Sequence, residues 1–491
     1  MKKNRVVSIS VCLVTLLLCG CQKPPEKDVV ISKNDGSFEH LITQTATQPS
    51  DAAQQETTHH ETEPPRIQET FFSTDGSVEF IVNATLQSQP GPMPVVEVSP
   101  HRLTSEDAQR VAKVLLGNGP FYEADSIAEE VYSKAEIQEK MDRLLDYAGS
   151  INISDSIFYT ARDNYITSCT ELLKTAPDSV NRIPCDWHFR KSTYYYVTAE
   201  ELKRTNTSQD NDELQVRAKV GGIPYLLRVV TRDRKDFKLN NINLTINDGV
   251  SPMMADMYIF QNMLCQQDVP DSAAIAAIEE KAAAMLKEMG LGDWSVDNSF
   301  VEVVTYNEPP EYVVTVTAVP SFCGTPALRR PQITGLKSEN VYASNYYLTD
   351  VLFTFSPDGT LLSFKMVSPL NVERVINENV LTMSYPELID RAREHLRLSD
   401  IGAYDYAGFF NWGYEGLGCR VQITNIQYGL TRVKIPNTDE RYYYVPAMFF
   451  WGREEVYDTD SGEILRDTGK TDRLLLALNA VDGTVIHTSN Q

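Results

Sequence analysis

The sequence predicts an α+β protein made of tandem units, each a single helix packed on an antiparallel meander sheet, after a signal peptide and a disordered linker. Three observations lead to that class. Stretches with an apolar stripe at helical spacing alternate with groups of short strands in which apolar and polar residues alternate. A sheet with one apolar face needs a cover, and a helix with one apolar stripe supplies it. Two stretches 124 residues apart share one pattern: Leu352 followed by Asp358-Gly359-Thr360-Leu361-Leu362, and Leu476 followed by Asp482-Gly483-Thr484-Val485-Ile486. A period that long points to duplicated domains rather than a solenoid.

The leader comes first. Lys2, Lys3 and Arg5 form a positive start, and residues 6–18 are apolar apart from Ser8, Ser10 and Thr15. A run of thirteen residues falls short of the roughly 20 needed to cross a bilayer and fits a signal peptide. Leu18-Cys19-Gly20-Cys21 follows, and this resembles the lipobox of bacterial lipoproteins. The resemblance implies cleavage after residue 20 and a diacylglycerol thioether on Cys21, hence a cell-membrane, extracytoplasmic location with the lipid as anchor. Cys19 departs from the usual small non-thiol residue at its position.

Residues 21–68 read as linker. The stretch 43–62 has no Leu, Val, Phe, Tyr or Trp, so it cannot bury enough apolar surface to offset the entropy of ordering. A flexible chain of about 50 residues would span roughly 40 Å. The charge narrows the choice of partner. The chain carries 45 Lys+Arg against 67 Asp+Glu, a formal −22, and loss of the leader takes three cations and no acid. Such a surface repels phosphate backbones, so nucleic acid is not an expected partner. It also repels anionic lipid head groups, so membrane contact is expected through the acyl anchor alone.

The folded part is read as an N-terminal α+β domain over 69–260 and two similar units over 261–378 and 379–491. In the first, Asp75-Gly76 joins strands at 69–72 and 78–82, and residues 94–98 form another. Thr104 with Asp107 three residues on makes a variant capping box, Val111, Val114 and Leu115 form the stripe, and Gly117 ends the helix. A second helix covers 133–147 with Ile137, Met141, Leu144 and Leu145 on one face. Residues 152–194 read as irregular. Strands follow at 214–220, 224–231 and 242–246. The second unit opens with an alanine-rich helix over 273–289 and continues with strands at 301–306, 312–319, 347–355 and 361–366. The third opens with a helix capped by Ser384, then strands at 420–428, 442–450, 453–457, 474–479 and 485–487.

The ending Leu476-Ala477-Leu478-Asn479-Ala480-Val481-Asp482-Gly483-Thr484-Val485 resembles the closing hairpin of PepSY-like domains. Val445-Pro446-Ala447-Met448 through Asp460-Ser461-Gly462-Glu463-Ile464 resembles the hairpin before it in extracytoplasmic regulators of a wall-sensing histidine kinase. The whole chain, with Asp35-Gly36, Pro92-Met93-Pro94-Val95-Val96 and Pro120-Phe121-Tyr122, also resembles a family of uncharacterised lipoproteins from anaerobic Gram-positive bacteria. These resemblances imply a binding or regulatory protein without catalytic activity, docking a membrane or cell-wall protein. The oligomeric state is left open.

The candidate chemistry is sparse. Of eight cysteines, Cys169 and Cys185 are close enough in sequence to form a disulfide in an oxidising compartment. Thr468-Gly469-Lys470-Thr471 lacks the earlier glycine of a P-loop, since Ile464 stands there. Asp458 to Glu463 is a partial calcium loop that reads equally as a turn, and Cys185-Asp186-Trp187-His188 is half a zinc site. No catalytic residue, metal or cofactor is expected. The candidate ligand-binding residues are Tyr404, Tyr406, Phe409, Phe410, Trp412 and Tyr414, six aromatics set among glycines between a helix and a strand. Exposed aromatics of this kind meet sugar rings or partner proteins, which makes a glycan- or nutrient-binding lipoprotein the alternative reading. An uncharted hydrolase with paired carboxylates is a further alternative.

Overall fold

The computed structural model describes residues 37–46, 66–86, 93–124, 132–150, 156–192, 211–233, 238–246, 269–304, 311–328, 349–398, 416–435, 438, 441–467 and 473–486. It opens with a one-turn helix α1 (Ser37–Leu41), then β1 (Arg66–Phe72), β2 (Val78–Leu86) and β3 (Val95–Pro100). Helix α2 (Ser105–Leu116), β4 (Tyr122–Glu123), α3 (Lys134–Ser150), α4 (Ser156–Thr175) and β5 (Arg190–Ser192) follow. Next come β6 (Asn211–Val220), β7 (Ile223–Asp233), β8 (Lys238–Ile246), α5 (Ser272–Met289), β9 (Trp294–Val304), β10 (Glu311–Phe322) and β11 (Thr325–Pro326). The chain continues through β12 (Asp350–Phe355), β13 (Leu361–Val367), β14 (Leu370–Asn377) and α6 (Tyr385–Leu398). It ends with β15 (Leu417–Lys434), β16 (Tyr442–Asp458), β17 (Ile464–Asp467) and β18 (Arg473–Asn479). The class is mixed, with few helices and mostly antiparallel strands; β2 with β15 is the one parallel pair among the described strands.

The strands form two sheets. One runs β1-β2-β15-β16-β3-β14, with β17 and β18 also on β16. The other runs β11-β10-β12-β13-β8-β7-β6-β4, with β5 on β6 and β9 on β10. This corrects the expected tandem units. The strands expected over 69–98 sit in the first sheet, while those over 214–246 sit in the second beside strands of the 261–378 unit. The cause is edge pairing. β2 pairs with β15 from Val78↔Cys419 onward, and β8 pairs with β13 from Asn241↔Val367 onward, so each expected unit gives its edge to a neighbour.

Helices still cover sheets, although not one each. On the second sheet, Val111 and Leu115 of α2 and Ile278, Ala282, Leu286 and Met289 of α5 pack together on Leu227, Val229, Leu244, Val316, Phe353 and Phe364. On the first, Leu388, Ala392 and Leu396 of α6 meet Phe80, Val421, Ile423 and Phe450. The opposite face of the first sheet is buried too. Val95, Tyr443, Val445, Ala447 and Phe449 pack there against Ile42, Val380, Val481 and Ile486. With both faces covered, β16 needs no alternation, which explains why the two strands expected at 442–450 and 453–457 are one.

Residues 37–46 correct the expected linker. Ile42 is 2 % exposed, the Ala46 N–H donates to Asn379 O at 2.9 Å, and the Leu381 N–H donates to Gln44 O at 2.8 Å. The Asn377 amide reaches Ile42 O at 3.2 Å, and the Phe38 ring tilts on Tyr443. Two large apolar side chains beside Leu41 give this short stretch enough surface to dock. The stretch 152–194 is likewise not all irregular. Helix α4 buries Tyr165 and Cys169 against Ile137 and Leu144 of α3, and its polar exposed face hides that stripe from a reading by composition. Strand β14, not expected at all, has a mostly exposed edge with little alternation.

The chain crosses between the sheets twice, at residues 101–104 and at 368–369, and the crossings touch. The His101 N–H donates to Pro369 O at 2.8 Å. One ring nitrogen of His101 meets Asn371 Oδ1 at 2.7 Å and the other meets Asp107 Oδ2 at 2.9 Å. Asp107 also closes the capping box foreseen at Thr104. The Asp107 hydrogen bond raises the His101 pKa above its ordinary value. Burial pushes Asp107 up, but bonds from His101 and Thr104 outweigh it and hold the carboxyl at about 2. The signs follow from linkage. Asp107 adds about 2 kcal/mol that is present above pH ~4 and lost as pH falls toward 2. The raised His101 adds stability that is complete below pH ~6.5 and lost as pH rises through its folded value. Urea midpoints of the wild type should therefore fall between pH 6 and 8, and His101→Gln should flatten that fall. Parallel curves for the two proteins would refute this account.

Candidate functional site

Among the described residues, an open cleft lies between α3 and the β6–β7 hairpin. Its first wall is a stripe on α3: Glu136, Glu139, Lys140 and Arg143. The spacing of three, one and three places all four on one helical face. The opposite face carries Ile137, Met141 and Leu144, which pack on α4 and fix the rotation of the helix. The helix starts where Ser133 caps it: the Ser133 N–H and Oγ–H both donate to Glu136 Oε2, at 2.9 and 3.0 Å. The second wall is the hairpin, with Arg217, Ala218, Lys219, Gly222, Pro224 and Tyr225. Tyr122, Tyr132 and Arg182 complete the lining.

Polar contacts tie the walls together. Arg143 donates to Gly222 O at 3.1 Å, and Lys219 donates to Glu139 Oε2 at 3.0 Å. Arg143 also pairs with Glu139 inside the helix, and Arg182 pairs with Glu136 at 2.5 Å. Both carboxylates are thus committed to cations. The Lys219 hydrogen bond lowers the Glu139 pKa. Burial raises that of Glu136, but Ser133 and Arg182 reverse the effect and leave it lowered. Both shifts favour the charged carboxylate. Burial brings Arg217 down to about 10 and pushes Tyr225, whose hydroxyl donates to Leu361 O at 2.6 Å, up to about 12.

Tyr132 is distinct. Its side chain is 6 % exposed, Lys140 Nζ lies 4.1 Å from the ring centroid, and Arg182 approaches the same ring. Its hydroxyl has no hydrogen-bond partner among the described residues. Five cations face two carboxylates in this lining, in a chain whose overall charge is strongly negative. Among the described residues, no serine, threonine, cysteine or histidine lines it.

The residues expected from sequence lie elsewhere. Cys21 and the aromatics Tyr404, Tyr406, Phe409, Phe410, Trp412 and Tyr414 fall outside the described residues. The expected disulfide is not formed. Cys169 sits in the core between α3 and α4, whereas Cys185 packs with Phe121 and Trp187 against the second sheet, so the two thiols belong to separate clusters. Burial pushes the Cys185 thiol up, away from the thiolate a zinc ion would need. His188 is largely exposed and turns back on Asp186 O at 2.7 Å. Asp458 accepts the Asp460 and Ser461 N–H groups and shapes a turn. Sequence reasoning missed the cleft. The Glu136-Glu139-Lys140-Arg143 stripe was visible on the helix, but only its apolar side drew attention.

No family model matches this chain, and none of the curated proteins compared with it matches. A crystal structure of an uncharacterized protein from Eubacterium rectale is similar at a TM-score of 0.38 and 9% sequence identity, over 86% of this chain and 94% of that one. Likeness at that level decides nothing about fold or function.

Proposed function

We propose that this chain is a lipid-anchored extracytoplasmic binding or regulatory protein, without catalytic activity of its own, that docks a membrane or cell-wall partner through the cationic cleft. The observation that carries the reading is the lining of that cleft: among the described residues it holds five cations and two carboxylates already in ion pairs. Hydrolysis by paired carboxylates needs one of them free to take or give a proton. The anchor rests on the Lys2-to-Cys21 leader.

Mild crosslinking of intact cells tests the docking. The wild type should capture a discrete membrane or wall protein, and the double variant Lys140→Glu/Lys219→Glu should lose it. Equal capture by both proteins would remove the cleft as the dock. Capture of glycan fragments alone, lost on Trp412→Ala, would put the glycan-binding alternative in its place.

A further inference from the structure

We propose that the first sheet carries a peptide-docking groove which residues 37–46 occupy as a detachable strap, and that an extended partner peptide of matching chemistry takes their place. The groove belongs to the first sheet and the cationic cleft to the second, so neither site depends on the other.

The groove is built without the strap. Val445, Ala447 and Phe449 of β16 form it together with Val380, Val481 and Ile486. β16 is held by β15, β3, β17 and β18, and the Val380 N–H donates to Met93 O at 2.8 Å. None of these pairings involves the strap. The strap itself has a slight hold. It buries one side chain fully, Ile42, and packs Phe38 and Leu41 in part. Residues 47–65, which join it to β1, contain no Leu, Ile, Val, Met, Phe, Tyr or Trp. Every residue that is ordered costs backbone entropy, so a ten-residue stretch with one deep anchor sits at the low end of local stability.

The groups that the strap covers define the partner. Around the antiparallel bridge between Thr45 and Val380, the Ala46 N–H donates to Asn379 O at 2.9 Å and the Leu381 N–H donates to Gln44 O at 2.8 Å. Asn377, 7 % exposed, gives an amide N–H to Ile42 O at 3.2 Å. Release of the strap breaks all three bonds, and an apolar surface laid over the groove would not restore them. A replacement must bring main chain: an N–H and a C=O two residues apart, and a further C=O for Asn377. It must also bring a branched apolar side chain for the seat of Ile42. An aromatic four residues earlier would meet Tyr443 as Phe38 does, with ring centroids 6.2 Å apart. A polypeptide that adds to the 379–381 edge meets these demands, and a lipid tail or a sugar does not.

Fluorescence anisotropy of a labelled synthetic peptide, residues 36–47 of this chain, provides the test on the full chain carrying Cys21→Ser. The Ile42→Asp variant should bind it saturably, and the wild type at least about tenfold more weakly, because the strap leaves only a fraction of the grooves open. The same peptide carrying Ile42→Asp should not bind. Amide exchange reads the strap directly. In the wild type, Leu381, bonded to Gln44, should exchange well ahead of its neighbour Val380, bonded to Met93. Adding the peptide to the Ile42→Asp variant should restore Leu381 protection. Should that variant also strip protection from Val380, Ala46→Pro, which removes the N–H given to Asn379, takes its place in the binding comparison. Equal binding by wild type and variant, no saturable binding to a variant that keeps Val380 protected, or Leu381 and Val380 exchanging together overturns the proposal.

Discussion

Replacing Arg374 and Arg441 together by methionine should cost about 3–5 kcal/mol of folding stability in urea denaturation at neutral pH. The reason lies in the middle of β3. Glu97 is 1 % exposed there, yet Arg374 Nε stands 2.6 Å from Oε2 and Arg441 closes on Oε1. The two arginine side chains are themselves 63% and 51% exposed, so their own hydration is largely kept and the carboxylate bears the desolvation. Remove both, and a buried charge is left without a counter-ion. Each single variant should cost clearly less, because one partner remains. Adding Glu97→Leu to the double variant should recover most of the loss, since an apolar side chain has no charge to compensate. A double variant as stable as the wild type would mean that Glu97 reaches water by another route.

Gly452→Ala should destabilise the protein by about 3 kcal/mol or more, with a matching drop in Tm. Gly452 lies in β16 opposite Ile423, where the β15–β16 register shifts. A methyl group there would overlap the carbonyl of Gln422 and crowd Leu475. The first obstacle is backbone in the longest strand pair among the described residues, so it cannot turn aside. Gly418→Ala makes the comparison. Its methyl would meet only the Tyr457 ring, which can rotate, and the cost should be smaller. Equal costs at the two sites would show that β15 yields more easily than its pairing implies.

The sequence was legible where the physics is local. The Thr104 capping box, the alanine-rich helix over 273–289 and the Asp75-Gly76 hairpin all depend on residues within a few positions of one another. The repeated Asp-Gly-Thr turns also match in detail. The Thr360 and Thr484 N–H groups each donate to the aspartate two residues before, at 2.9 Å. What could not be read was which strand each hairpin would join. Val78 meets Cys419 across more than three hundred residues, and alternation alone is equally content with several neighbours. The cleft was hidden for the same reason. Lys219 and Glu139 form its cross-wall bridge from positions eighty residues apart.

If the proposed lipid on Cys21 anchors the chain, the docked segment at residues 37–46 changes the mechanics of that anchor. Had the chain run free to residue 66, its full extension from Cys21 would allow about 150 Å of reach. With Ile42 seated in the first sheet, only the fifteen residues between Cys21 and Ser37 would lie between such an anchor and a fixed point on the folded body. Their contour is about 55 Å at most. A protein leashed at that length samples a thin shell above the bilayer and raises its own local concentration for anything fixed in the same shell.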